Sequence, residues 1–117
     1  MSATFEGEVG MEIPTGGKRR RSRRLRWRTS ILVHWMDPNG VKVREHAKTE
    51  VVNAHGALLR LKTLLPLGKP LELIQPRSKQ IQAARVVWTQ KDAGQQARAG
   101  VELSTPSQNF WGIYIPF

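Results

Sequence analysis

Between two runs of apolar and β-branched residues the chain carries Asp37-Pro38-Asn39-Gly40, and this short stretch constrains the fold more than any other feature. Proline presets one turn dihedral and Asn-Gly accepts positive φ, so the chain must reverse tightly and return as an antiparallel partner. The run before it, residues 29–35, reads Thr-Ser-Ile-Leu-Val-His-Trp, types that suit a pleated, half-buried surface. The run after it, residues 41–52, alternates Val41 and Val43 before a polar middle and closes on Val51 and Val52. Similar punctuation recurs downstream. Gly56 opens a third strand over residues 57–61, and Leu65-Pro66-Leu67-Gly68-Lys69-Pro70 forms a loop before a fourth strand through Leu71 and Leu73 that stops at Pro76. Residues 80–89 alternate through Ile81, Ala83, Arg85 and Val87, and a loop around Asp92 and Gly94 precedes Gly100-Val101-Glu102-Leu103. Strands separated by turns at this spacing predict an all-β chain with a six-stranded antiparallel sheet, a barrel or a sandwich. Ser104-Thr105-Pro106-Ser107 offers N-cap hydroxyls and a first-turn proline, which predicts a short C-terminal helix running into residues 108–111.

With 117 residues and 39% hydrophobic side chains, the chain can bury one modest core, so a single domain is expected. Its formal charge of +10 is unevenly placed. Residues 1–17 hold Glu6, Glu8 and Glu12 with no Lys or Arg, whereas residues 18–28 hold Lys18, Arg19, Arg20, Arg21, Arg23, Arg24, Arg26 and Arg28. The expected organisation is a disordered acidic tail over 1–17, a basic linker over 18–28, a barrel over 29–104 and a helical cap over 105–117, the last three forming one domain. A cationic segment at the lip of a sheet is where an anion would be caught, and nucleic acid, an anionic membrane surface and a phosphate-bearing small molecule all suit it.

Other chemistries find no support. The chain has no cysteine, which excludes disulfides, thiolate catalysis and cysteine-ligated zinc. Its first residues lack the basic start and apolar run of a secretory signal, and no stretch is long and apolar enough for a membrane span, which leaves the cytoplasm as the default location. His34, His46 and His55 are too dispersed for a metal triad, so no metal is expected. Asp92 and the other acids form no pair suited to acid–base work, and neither a Ser/His/Asp order nor a phosphate-cradling glycine loop is present, so the chain is not expected to be an enzyme. Trp35, Trp88 and Trp111 are expected to pack the barrel and its cap. Trp27 sits among arginines, where it could stack on a base or pack under its own linker.

Several motifs stand in a defined order. Arg20-Arg21-Ser22-Arg23-Arg24 gives R-x-x-x-R immediately before the first strand; Val51-Val52-Asn53-Ala54-His55-Gly56 follows the second. Gly-Ala-Leu-Leu at 56–59, Pro-Leu-Gly-Lys-Pro-Leu-Glu-Leu at 66–73, Ala-Arg-Val-Val-Trp at 84–88 and Ala-Gly-Val-Glu-Leu at 99–103 complete the set. This ordered set, over about residues 19–103, resembles the PilZ domain, the bacterial receptor module for cyclic di-GMP. The resemblance implies a PilZ-type barrel and a signalling role in which an arginine linker closes over the ligand.

The chemistry of such a site can be stated directly. A cyclic dinucleotide offers two phosphates and two guanines, whose O6 and N7 acceptors match one guanidinium fork. Arginine also stacks on a purine face, which lysine cannot do. The resemblance implies Arg20 and Arg24 as the ligand-clasping pair, with Arg19 and Arg23 as the alternative register. In the second motif the family has Asp-x-Ser-x-x-Gly. Anchored on Gly56, that pattern places Val51 where the carboxylate would meet the guanine edge and Asn53 where the serine would be. The other register uses Asn53 and His55 but spoils the Gly-Ala-Leu-Leu match. The ligand-binding set is thus Arg20, Arg24, Asn53 and Gly56, with Arg19, Arg23, Val51 and His55 as further candidates. No cofactor is implied beyond cyclic di-GMP as a signalling ligand. Three functions follow: a receptor that passes cyclic di-GMP binding to a protein partner, a degenerate barrel that serves as a ligand-independent interaction module, and, less supported because aromatics are few, a small nucleic-acid-binding barrel.

Overall fold

The computed structural model describes residues 24–92 and 94–117. The expected acidic tail and most of the basic linker lie outside the described residues. Seven strands run through the rest: β1 (Leu25–Arg26), β2 (Ser30–Met36), β3 (Lys42–Val52), β4 (Gly56–Leu61), β5 (Pro70–Ile74), β6 (Ile81–Lys91) and β7 (Ala97–Leu103). All pair antiparallel, in the order β1-β3-β2-β5-β6-β7-β4, and a further β3–β4 pairing closes β2 to β7 into a six-stranded barrel. Of the barrel and the sandwich that the turn spacing allows, the chain forms the barrel that the PilZ resemblance implies, with β1 added as a two-residue strip on β3. Asp37 explains why the first hairpin closes: its Oδ1 accepts from the backbone N–H of Asn39 and Val41, and Gly40 takes φ 80°.

The interior is apolar. Ile31, Val33 and Trp35 of β2, Ala57, Leu59 and Leu61 of β4, and Ala99, Val101 and Leu103 of β7 share it with Leu71, Leu73, Ala84 and Val86. Phe110, Trp111 and Ile115 join the same cluster from the C-terminal segment. The two mouths of the barrel differ. One, the linker end, holds β1, the 53–55 turn, the 75–80 turn and the C-terminal segment. The other, the far end, holds the turns 37–41, 62–69 and 92–96, with Leu65 buried beneath them.

Two sequence expectations change. The linker expected over 18–28 contributes the short strand β1, and the chain is irregular at 27–29, where Trp27 N–H donates to the Glu50 carbonyl and buried Thr49 ties both flanks. Thr49 Oγ1 donates to the Trp27 carbonyl and accepts from the Thr29 N–H at 2.9 Å. The expected C-terminal helix is absent among the described residues, and turns occupy 104–113. Carbonyls that a helix would use internally are taken sideways. Gln75 Nε2 donates to the Phe110 carbonyl at 3.2 Å and Trp27 Nε1 to the Trp111 carbonyl at 2.9 Å, while Ile115 N–H closes a wide loop onto Gln108. On β6, the set Ile81, Ala83 and Arg85 faces outward, and Ala84 and Val86 face the core.

Candidate functional site

Two β-bulges at the same height decide what the outside of the barrel presents. On β3 the register slips between Thr49 and Val51, so Glu50 is the extra residue; on β6 it slips between Val86 and Trp88. Simple alternation would have put Val51 inside with Ala47 and Thr49, and Trp88 inside with Ala84 and Val86. Past the bulges both face outward, which corrects the expectation that Trp88 packs the interior. The result is one lateral row across five strands, each member paired with the next: Arg26, Val51, Leu58, Gly100 and Trp88.

The middle of this row is apolar and close-packed. Leu58 is 1% exposed and Val51 7%, yet neither belongs to the interior cluster. Gly100 makes room for its neighbour, since a Cβ there would stand 3.1 Å from the Trp88 Cβ. Charges flank the row. Arg60 Nε meets Glu50 Oε2 at 2.6 Å, Arg60 Nη1 meets Asp92 Oδ2 at 3.3 Å, and Arg98 Nε lies 3.5 Å from Glu50 and 3.4 Å from Asp92. Toward the linker end, a groove of about 240 Å³ is lined by Arg28, Lys48, Thr49, Glu50 and Arg60. A second, of about 290 Å³, shares Arg28 and Lys48 and adds Thr29, Ser30, Gln75, Pro76 and Arg77. Four cations therefore line the base of the linker.

The second motif is a hydrogen-bonded turn. Asn53 is buried, and its Oδ1 accepts from the N–H of His55 at 2.8 Å and of Gly56 at 2.9 Å. Its backbone N–H donates to the Gly56 carbonyl, and its own carbonyl accepts from Trp111 Nε1 at 2.9 Å. Gly56 is fixed by crowding: a Cβ there would fall 2.1 Å from the Val101 carbonyl oxygen. His55 is half-buried, with its ring 6.2 Å from that of Phe117.

The topology brings part of the arginine motif to this turn. The β1–β3 register pairs Leu25 with Val52, so Arg24, one residue earlier, enters beside Asn53. Arg24 is half-buried, and Arg19, Arg20 and Arg23 lie outside the described residues. Arg24, Val51, Asn53, His55 and Gly56 are thus gathered at the linker end. Trp27 packs against the core and is held by the Trp111 carbonyl, so it anchors the linker base. The sequence reading had no signal for Leu58 and Gly100 as parts of the outer face, because only the bulges and the strand register align them with Val51.

Comparison with known proteins agrees with this architecture. The family model described as PilZ domain matches residues 18–110. Among solved structures, the PilZ domain with c-di-GMP of YcgR from Escherichia coli superposes with a TM-score of 0.54 at 12% identity, covering 74% of this chain and 79% of that one. No curated protein matches. The barrel is that of this family, and the chain belongs to the PilZ domain family.

Proposed function

We propose that the chain is a regulatory receptor domain that takes cyclic di-GMP at the linker end and presents the outcome to a protein partner. The observation that carries the reading is the juxtaposition of Arg24 with the Asn53–Gly56 turn, produced by the β1–β3 register. Among the cations lining the grooves at the linker base, Arg28, Lys48 and Arg77 supply the field that two phosphates need, Arg60 being engaged by Glu50 and Asp92. Arg20 and Arg24 are the guanidinium pair, with Arg19 and Arg23 as the other register. Asn53 shapes the turn that receives a guanine edge, and Val51 marks the place from which a carboxylate would grip it. YcgR's domain, whose barrel this one shares, carries c-di-GMP in its structure.

Val51 favours the second reading, a ligand-independent interaction module, because a valine accepts no hydrogen bond from guanine N1–H and N2–H₂. Each unmet donor costs about 1–3 kcal/mol, or roughly tenfold to a hundredfold in affinity. Calorimetric titration of the full chain with cyclic di-GMP decides between the two. Binding that survives Arg20→Lys/Arg24→Lys with little loss would refute the guanidinium clasp, because charge is kept and only fork geometry is lost. Val51→Asp is the converse test. Residue 51 faces the outer row, so a carboxylate there should raise affinity by about one to two orders of magnitude. A folded Val51→Asp variant with no gain would put the interaction module first.

A further inference from the structure

On the outer wall toward the far end, β2, the start of β3 and β5 enclose a pocket of about 340 Å³ lined by residues 34–36, Lys42 and residues 69–72. Its floor is apolar, from Trp35, Leu71 and Pro70, and its volume admits one large side chain. Around it the surface stays apolar where solvent would favour polar groups. Met36 is 54% exposed, and Val41 (57%) and Leu67 (66%) stand in the turns of the same end. A polar group inside is unused as well. The His34 side chain is only 12% exposed, and neither ring nitrogen has a hydrogen-bond partner. Glu72 Oε1 lies 3.8 Å from its Nδ1, and the same carboxylate oxygen lies 4.0 Å from Lys42 Nζ. A buried polar group left without a partner is costly, so it marks a place where a ligand group would be welcomed.

Charge selects the occupant. Lys42 and Lys69 line the pocket against one lining carboxylate, Glu72, and Arg44 stands across the strand pair from His34; Asp37, next to Met36, is engaged by the N–H groups of Asn39 and Val41. We propose that this pocket is a protein-docking site for an acidic peptide segment with one large apolar side chain. The side chain enters between Met36 and Leu71. Flanking Asp or Glu residues meet Lys42 and Lys69, and a backbone or carboxylate oxygen accepts from His34. The surface would serve the partner that the receptor reading calls for. It rests on its own geometry, however, because it lies away from the arginine linker.

The test is selection of a random twelve-residue phage-displayed peptide library on the immobilised full chain, with counter-selection on Lys42→Glu/Lys69→Glu. Enriched peptides should combine Leu, Phe or Trp with neighbouring Asp or Glu. A labelled synthetic copy should bind the parent more weakly as salt rises, and bind the double variant about tenfold more weakly still. Amide shifts on peptide addition should concentrate at residues 34–42 and 67–72. Lys42 is exposed and half-buried Lys69 lies outside the core cluster, and thermal unfolding checks that the variant is folded; Leu67→Ser, which removes apolar rim and no charge, provides a second variant. Absence of enrichment, peptides that bind parent and variants equally, or basic peptides would overturn the proposal. So would binding to phosphatidylglycerol vesicles that the lysine reversals abolish while no peptide is enriched, since the face would then be a membrane surface. Peptide binding is measured with and without cyclic di-GMP. A chain that binds peptide but fails the nucleotide titration sinks the receptor reading alone, and the reverse result sinks the docking site alone.

Discussion

The two mouths of this barrel are closed by opposite means. At the linker end, Trp111 is fully buried and holds two elements at once: its indole N–H donates to the Asn53 carbonyl while its own carbonyl accepts from Trp27. Gln75, Ala54 and His55 complete the closure through the carbonyl of Phe110, the N–H of Ser107 and the N–H of Leu103. At the far end, short turns cover Leu65 and His34 lies behind the surface without a hydrogen bond, while exposed apolar side chains occur at both ends, Met36, Val41, Leu64 and Leu67 here and Ile81, Tyr114 and Phe117 at the other. The linker end is therefore closed by hydrogen bonds between segments distant in sequence, and the far end by short turns beside an unpartnered His34. A site that must clasp a ligand needs a fixed base, whereas a docking face needs groups that gain by being covered.

Substitutions can break this contrast, and the largest effect is expected from Trp111→Ala. It removes a buried indole from the core and frees both Asn53 and the linker base, at a cost of about 3–5 kcal/mol. Denaturant unfolding should show a marked fall in midpoint, and a variant as stable as the parent would mean that the C-terminal segment does not close the barrel. Gly56→Ala comes next. Its methyl meets a backbone carbonyl at a strand pair, which cannot rotate away, so about 1–3 kcal/mol should be lost. A thermal midpoint within a degree of the parent would show that β4 and β7 can separate there at no cost.

Asn53→Ala should cost about 1–2 kcal/mol, since the N–H groups of His55 and Gly56 lose their acceptor. Hydrogen exchange at those two amides is the sharper readout, and unchanged protection would exclude the side-chain oxygen as their partner. The smallest effect belongs to the far end. Lys42→Glu/Lys69→Glu should change stability by no more than about 1 kcal/mol, because Lys42 is exposed and half-buried Lys69 lies outside the core cluster. A large destabilisation would show that the far-end charges hold the fold together, and the contrast between the mouths would fail.

How much of this was legible beforehand differs from element to element. Asp37 to Gly40 is a turn by its own chemistry, and the structure finds it so. The alternation in residues 29–35 places Ile31, Val33 and Trp35 on one face with no help from elsewhere. The second motif was legible as a motif, and so was its departure at Val51. Its orientation was not, because period-two reasoning fails at a bulge, and a bulge is a property of the pairing with β4 and β7 and not of the strand itself. The C-terminal segment misled for a related reason. Serine, threonine and proline spell a helix start locally, yet Phe110 and Trp111 gain more by entering the open mouth, where Gln75 and Trp27 satisfy their carbonyls.

Local signals were enough to read the all-β class, the number and order of the strands, the position of the arginine segment before the first of them, and the family to which these motifs belong. These follow from local rules, namely turn chemistry, side-chain alternation and spacing, that act within a few residues. The folded barrel was needed to place Val51 and Trp88 on the outer face with Leu58 and Gly100 between them, to join the linker to the Asn53 turn through Trp111, and to hide His34 beside a pocket lined by Lys42 and Lys69. Each depends on strands distant in sequence meeting in one register, and the choice of register is made by the whole barrel closing at once.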